Sequence, residues 1–363
     1  MDNRNSSGQK PPLTPAQTHD IGMGLIAAAE AGDETALRAL LKEGAHGPLD
    51  TRDTTAALIA AVEQKSVACV ELLLAVADPK ANKAGETALM GCCAKPSPEA
   101  HEIFLRLLPL SDPKATTYAK DTALMIAVSW NNKSAVQALL PVSDADARDR
   151  WGRNALMTAA AGESEADEEM LAWMIDATTD IDARDKDGMT ALMLAAAGAD
   201  RRDWRGHRLL LGRADANARS PAQSYPPDGW SATPLEHAIR RGEACGGLEC
   251  VEDLLPFTDI AVKNEAGLTP FEVALSVAQF KIADVLAHGA SAPVVAEAVK
   301  KHGMEMLPKA AEWLARQEAA ELGAAVAHAQ VERMEASESE SGQGLGELRE
   351  IDVSSKKGRA RSL

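Results

Sequence analysis

Cys245 and Cys250 stand five positions apart, and two thiolates at short spacing are half of a tetrahedral zinc site. No second pair and no correctly spaced histidines accompany them, so ordinary packing or a surface thiol is expected, with zinc as the alternative. The run Glu163, Glu165, Asp167, Glu168 and Glu169 gathers the carboxylates a calcium ion needs, but lacks the alternating ligands and glycine of an EF-hand loop. Carboxylates at the start of a helix are favoured by its dipole, and that is the role expected of them. His237 has acid–base chemistry open to it, yet it lies inside Thr233-Pro234-Leu235-Glu236-His237-Ala238, where a structural polar contact is expected. Signatures of phosphate-binding loops, zinc peptidases, serine hydrolases and kinases do not occur. No catalytic, metal or cofactor-binding residue is assigned, no cofactor is expected, and an enzyme with an unrecognised site is the remote alternative.

The chemistry that remains is recognition. The 363 residues hold only four Phe, two Tyr and six Trp, yet Tyr118, Trp130, Trp151, Tyr225 and Trp230 map to turns or exposed helix ends. Tyr, Trp and Arg are enriched among binding hot spots, because large rigid rings bury area at little entropic cost. Tyr118, Trp130, Arg150 and Trp151 lie in neighbouring segments and are expected to form one patch. The alternative is that each ring simply covers the adjoining segment.

The elements that must position these residues are marked by one repeated phrase: Thr87-Ala88-Leu89-Met90, Thr122-Ala123-Leu124-Met125, Asn154-Ala155-Leu156-Met157 and Thr190-Ala191-Leu192-Met193. Weaker copies centre on Leu25, Leu58, Leu235 and Phe271, giving successive spacings of 33, 31, 35, 32, 36, 43 and 36 residues. A near-constant period of this size means a stacked array. Each copy reads as a polar turn, a short apolar helix, a break, and a second apolar helix. In the fifth, Asn154 to Ala161 reads as the first helix, Gly162 as its left-handed stop, and Asp167 to Asp176 as the second helix.

This pattern resembles the ankyrin family, with its 33-residue period and Thr-Pro-Leu-His signature. Thr233-Pro234-Leu235 and Thr269-Pro270-Phe271 match the signature most closely, and the Thr-Ala-Leu-Met form is similar to Ala-rich bacterial repeat proteins. The resemblance implies an all-α solenoid of about eight helix-turn-helix repeats with finger turns. Its expected layout is a disordered N-terminus over 1–20, repeats over 21–290, a helical C-terminal cap over 291–335 and a disordered tail over 336–363. Methionine replaces the family's histidine in the four central copies and is expected to fill space between repeats. The turns Pro109-Leu110-Ser111-Asp112, Pro141-Val142-Ser143-Asp144 and Pro256-Phe257-Thr258-Asp259 replace the usual Gly-Ala-Asp, with proline ending the helix and Ser/Thr-Asp bonding locally. Most of the 43-residue interval lies in Ser220 to Ala232, read as an enlarged finger loop. Pro293 to His302 and Pro308 to Met334 read as helices. Ala311, Leu314, Leu322, Ala325, Val326 and Ala329 share one face of the second, for capping or for a partner or self-association.

In that family the inner helices and finger turns bind protein partners. Carried onto this chain, the finger positions are Lys83, Ala84 and Glu86; Tyr118, Ala119 and Asp121; Arg150, Trp151 and Arg153; Lys186, Asp187 and Met189; and Glu265, Ala266 and Leu268. Ser129 with Trp130, and Arg240 with Arg241, close first helices. The partner-binding candidates are Lys83, Glu86, Tyr118, Trp130, Arg150 and Trp151, together with Arg153, Lys186, Tyr225, Trp230, Arg240 and Arg241. A net charge of −16 opposes binding to nucleic acid or anionic lipid, and a monomer that binds a protein partner is expected. The polar, proline-rich first twenty residues lack the apolar core of a signal peptide, and no apolar run reaches about 18 residues. A cytoplasmic location is therefore expected, in keeping with the odd cysteine count. The basic end Lys356-Lys357-Gly358-Arg359-Ala360-Arg361 motivates the alternative of a secreted bacterial effector acting on a host protein.

Overall fold

The computed structural model describes residues 13–45, 49–161, 167–198, 205–221, 232–330 and 332. Two compact bodies divide the chain, Met1–Ile282 and Ala283–Leu363. Among the described residues eight helix pairs follow one another: α1 (Pro15–Ala31) with α2 (Glu34–Gly44), α3 (Thr51–Glu63) with α4 (Val67–Leu73), α5 (Ala88–Cys93) with α6 (Pro98–Leu107), and α7 (Ala123–Ser129) with α8 (Lys133–Leu139). The others are α9 (Ala155–Ala160) with α10 (Glu168–Ala177), α11 (Ala191–Ala197) with α12 (His207–Leu210), α13 (Pro234–Arg241) with α14 (Gly247–Leu254), and α15 (Pro270–Ser276) with α16 (Phe280–Leu286). First helices pack on the first helices of adjoining repeats from α1 to α15, and among second helices α2 packs on α4, α4 on α6, α6 on α8 and α10 on α12. The architecture is the expected all-α solenoid.

The repeated phrase explains its own geometry. Thr87, Thr122, Asn154 and Thr190 are N-caps whose side-chain oxygens accept from the backbone N–H of Met90, Met125, Met157 and Met193. That satisfies a donor the helix leaves orphaned. Leu89, Leu124, Leu156 and Leu192 are buried, and so are all four methionines, at 3% exposure or less. In the seventh and eighth repeats Glu236 and Glu272 take the methionine position and close full capping boxes back onto Thr233 and Thr269. Met90 closes a weaker version of the same box, its Sδ accepting from the Thr87 N–H at 3.5 Å, and the buried methionines contribute apolar volume between repeats.

Every complete finger turn puts a left-handed residue two positions before the cap: Gly85 (φ 86°), Lys120 (φ 64°), Gly152 (φ 81°), Gly188 (φ 72°) and Gly267 (φ 77°). Glycine occupies four of the five because a Cβ is disfavoured there. In the third repeat the finger tightens into a two-residue hairpin, with Asn82–Lys83 pairing antiparallel to Glu86–Thr87 around Ala84 and Gly85. Positive φ at both turn residues is what a type I′ hairpin requires. The Ser/Thr-Asp turns close locally as expected, with Asp112, Asp144 and Asp259 accepting from the N–H groups of Lys114, Asp146 and Ala261.

Three details depart from the sequence reading. The first helix begins at Pro15 rather than near Ile21, because Thr14 and Gln17 form a capping box ahead of it. In the second body, Ala311 and Leu314 of the helix spanning 308–330 are half-buried, whereas Leu322, Ala325, Val326 and Ala329 are exposed. The far half of that apolar face therefore packs against nothing among the described residues. His237 is buried without a hydrogen-bond partner for Nε2, so the polar contact expected of it is missing. Residues 1–12 of the N-terminus, the Gly162 stop, Glu163, Glu165 and the tail from Ser337 lie outside the described residues.

Cys69, Cys92, Cys93 and Cys250 are buried and Cys245 is exposed. Burial pushes the Cys92 and Cys250 thiols up to about 12 and raises that of Cys93 as well. The thiolate is the reactive form. Native protein at about pH 7.5 should therefore react with maleimide at Cys245 and resist at the other four, which react only after denaturation, as mass spectrometry of labelled peptides would read.

Candidate functional site

An open groove of about 620 Å³ lies on the first-helix side of the fourth and fifth repeats. One wall comes from α7, where the Thr122 cap sets the register. Met125, Ile126, Ser129 and Trp130 then follow at helical spacing toward the groove, while Leu124, Ala127 and Val128 are buried in the core. Thr158 and Ala161 from the end of α9 form the opposite side, and Asp121, Asp149, Trp151 and Arg153 come from the two finger turns. The helices are short, seven and six residues, and both end in this region at Trp130 and Ala161.

The finger that carries Trp151 is fixed by its own backbone and by both neighbours. Asp149 Oδ1 accepts from the N–H groups of Trp151 and Arg153, each at 2.8 Å. Arg148 donates to the Gly152 carbonyl at 2.7 Å and to the Arg184 carbonyl of the next repeat at 2.6 Å. The Arg150 N–H reaches back to the Ala119 carbonyl at 2.7 Å, and the Lys186 N–H reaches the Trp151 carbonyl at 2.8 Å. Arg184 repeats the pattern, donating to the Gly188 and Arg219 carbonyls. Trp151 is thereby held while 47% of it stays exposed, with the Arg150 guanidinium 4.0 Å from its ring centroid. Lys95 Nζ sits 5.9 Å from the Trp130 ring. Both contacts are attractions of a cation to the ring face.

Arg153 Nε lies 3.5 Å from Asp185 Oδ2. Burial raises the Asp185 carboxyl above its ordinary value; the hydrogen bond from the Met189 N–H and the charge of Arg153 act against that rise. Just outside the groove, Lys133 bridges repeats, with Nζ 2.8 Å from Asp167 and paired also with Glu169. Asp167 caps α10 through the Met170 N–H at 2.9 Å. The described part of the acidic run thus has a structural occupation, and among the described residues no group of three or more His, Cys, Asp or Glu is placed to hold a metal.

Of the residues expected to contact a partner, Trp130, Trp151 and Arg153 come together in the groove, with Arg150 stacked beside them. Tyr118 is 81% exposed but lies against Gly85 of the preceding finger, outside the groove lining. Lys83, Glu86 and Lys186 are exposed on other fingers. Met189, read as a finger-surface position, is buried at 5% exposure, with its N–H held by Asp185 Oδ1 at 2.8 Å. Arg240 and Arg241 are half-buried at the end of α13, and the Arg241 guanidinium packs over Gly198, so they belong to a separate place on the solenoid. Tyr225 and Trp230 lie outside the described residues; the base of their loop is closed by the Ser220 N–H and hydroxyl bonding the Ala232 carbonyl at 3.0 and 3.2 Å.

Sequence reading passed over Ile126, Thr158 and Ala161, whose apolar helix positions look like core, and Asp149, which looks like a turn former. It also missed Trp173, which lines a second hollow of about 480 Å³ with Leu140, Asp176 and Thr179 beside the second helices. A helical wheel of α10 would have flagged Trp173 as one residue short of the buried Met174.

No helix among the described residues is long and apolar enough to cross a membrane. A family model described as ankyrin repeats, three copies, matches residues 25–116, 98–185 and 124–220. No curated protein matches the chain.

Proposed function

Because this chain belongs to the ankyrin-repeat family, whose repeats generally mediate protein–protein interaction, we propose that it is a non-enzymatic binding module whose partner docks in the groove of the fourth and fifth repeats and on the fingers beside it. The observation that carries this reading is the finger of Trp151, an aromatic half in solvent on a backbone already held by hydrogen bonds from both flanking repeats. Holding a large ring in place before binding removes much of the ordering cost of association. Trp130 and Trp151 supply the aromatic anchors, and the Arg150 and Arg153 positions their rim. The solenoid holds this surface and turns nothing over.

We place the protein in the cytoplasm as a monomer. The same surface would serve an exported effector, for which the basic segment Lys356 to Arg361 is the supporting feature. A translocation assay on a chain lacking Ser354 to Leu363 separates the two locations, since a cytoplasmic protein stays in place with or without the tail.

The test of the binding surface is the double variant Trp130→Ala/Trp151→Ala. Once a captured partner is identified and purified, calorimetric titration should show its affinity reduced roughly 100-fold or more. Thermal unfolding of the variant should stay close to that of the parent. Unchanged affinity, or a fold that melts as readily as binding is lost, overturns the assignment.

A further inference from the structure

We propose that the edge where the second helices of the second to fifth repeats end is a separate docking surface, fitted to a partner segment that is apolar at one end and basic at the other. It is independent of the groove that holds Trp130 and Trp151.

The first observation is a row of exposed apolar side chains that the repeat itself sets in register. Val76, Leu110 and Val142 each follow a second helix, and their N–H groups reach back to the Leu73, Leu107 and Leu139 carbonyls at 3.0, 3.0 and 2.9 Å. The next residue of each turn, Ala77, Ser111 or Ser143, bonds the same carbonyl. Three equal turns thus present one position, and because α4 packs on α6 and α6 on α8, the three side chains form a row. They are 44%, 45% and 43% exposed, with Pro109 and Pro141 exposed beside them. One such group in water is ordinary, whereas a run of them on consecutive repeats marks an interaction surface.

The second observation is a change of charge along that row. In each turn an aspartate accepts from the N–H two residues on: Asp78 from Lys80, Asp112 from Lys114, Asp144 from Asp146 and Asp180 from Asp182. The backbone bond is the same four times, while the side chain at the second place changes from lysine to aspartate. Formal charges therefore cancel in the second and third repeats and leave two negative charges in each of the fourth and fifth. Where the row turns acidic lies the hollow of about 480 Å³, whose lining joins Leu140 and Trp173 to Asp144, Asp146 and Asp176.

The cations around it do not neutralise this end. Arg213 lies 3.1 Å from Asp176, with both side chains more than half exposed, and Arg148 and Arg184 donate to backbone carbonyls of the fingers. Counting all three against Asp144, Asp146, Asp176, Asp180 and Asp182 leaves a formal charge of −2. The finger tips beyond add three of each sign, Arg150, Arg153 and Lys186 against Asp149, Asp185 and Asp187. On the second helices, Arg106 and Lys133 each pair with two carboxylates.

The occupant follows from the two halves. One oxygen of Asp144 serves its turn and one of Asp176 faces Arg213, while the second oxygen of each takes no hydrogen bond from a described residue. A wholly apolar segment would take those oxygens from water and return nothing, and an anionic one would meet like charge. A lysine or arginine brings donors to them and lays its methylene stem along Leu140 and Trp173. A wholly polar segment would leave Val76, Leu110 and Val142 uncovered.

Three capped, neutral-dye-labelled peptide pools test this. The first is acetyl-Z-X-Z-X-Z-X-B-X-B-amide, with Z drawn from Leu, Val and Phe, X from Ala, Gly and Ser, and B from Lys and Arg; the second has Gln for B, and the third has Ser for Z. Fluorescence anisotropy should show the first pool binding roughly tenfold or more tightly than either of the others. Asp144→Asn/Asp176→Asn should bring the first and second pools near parity, and Val76→Ser/Leu110→Ser/Val142→Ser the first and third. All five side chains are exposed, and an asparagine makes the same turn at Asn264, which accepts from the Ala266 N–H, so both variants should fold, as circular dichroism checks. Glu318→Gln/Glu321→Gln removes as much charge from exposed positions of the second body and should leave both preferences intact. Equal binding of the pools, preferences that survive in the edge variants, or no binding at about 1 mM overturns the proposal. A charge preference that falls as far in Glu318→Gln/Glu321→Gln is attraction to the net charge and overturns it too. Both preferences should persist in Trp130→Ala/Trp151→Ala; their loss there would put the segment in the groove and refute a separate surface.

Discussion

Leu156→Ala is expected to cost about 2–5 kcal/mol, because it removes buried methyl groups from a site with little room to collapse. Leu156 is 1% exposed at the second position of six-residue α9. Its helix packs between α7 and α11, whose Leu124 and Leu192 are fully buried. In a solenoid each repeat is stabilised by its neighbours, so a defect at the fifth of eight repeats should uncouple the two sides. Urea unfolding should show an earlier phase, and hydrogen exchange should rise first over α7 to α11. Leu25→Ala removes an equally buried leucine from the first repeat, where loss should fray one end and leave the central transition in place. A single, barely shifted transition in Leu156→Ala would show that this residue is not an inter-helix core position.

Acid should destabilise the seventh repeat through His237. Burial, with the charge of nearby Arg240 adding to it, lowers this histidine from its ordinary 6.5 to about 4. The native state therefore holds it neutral while the unfolded chain protonates it, so between these values the unfolded state binds more protons. Stability from this group is fully present above about pH 6.5 and is lost progressively as pH falls toward 4, a total of about 3 kcal/mol by linkage. His207, also lowered by burial, acts in the same direction; Asp185, raised by burial, acts in the opposite one. Urea midpoints measured from pH 7 to 4.5 should fall steeply for the parent and much less for His237→Gln. Parallel curves for the two proteins would refute a buried neutral His237.

The sequence was legible wherever structure is local. The caps at Thr87, Thr122, Asn154 and Thr190 depend on a side chain and an N–H three residues away, so the repeated phrase predicts them directly. The same holds for Asp112 and Asp144 in their turns. The early start at Pro15 was also legible, in Thr14 and Gln17 at capping-box spacing, although the repeat register pointed to Ile21. His237 was harder, since its position in the motif implies a partner that the fold does not supply.

What the sequence alone determined was the unit: its period, caps, core leucines and glycine-bearing fingers, because these arise from contacts within about four residues or from one repeated helix face. What only the tertiary structure decided was the surface between units. Asp121, Ile126 and Trp130 belong to one repeat and Asp149, Trp151, Thr158 and Ala161 to the next. Whether they face one another depends on how repeats stack, through Arg148 and Arg184 and the backbone bonds from Arg150 and Lys186, residues some 30 positions from their partners. The interval between copies fixes that stacking only on average, and a groove is made of its particulars.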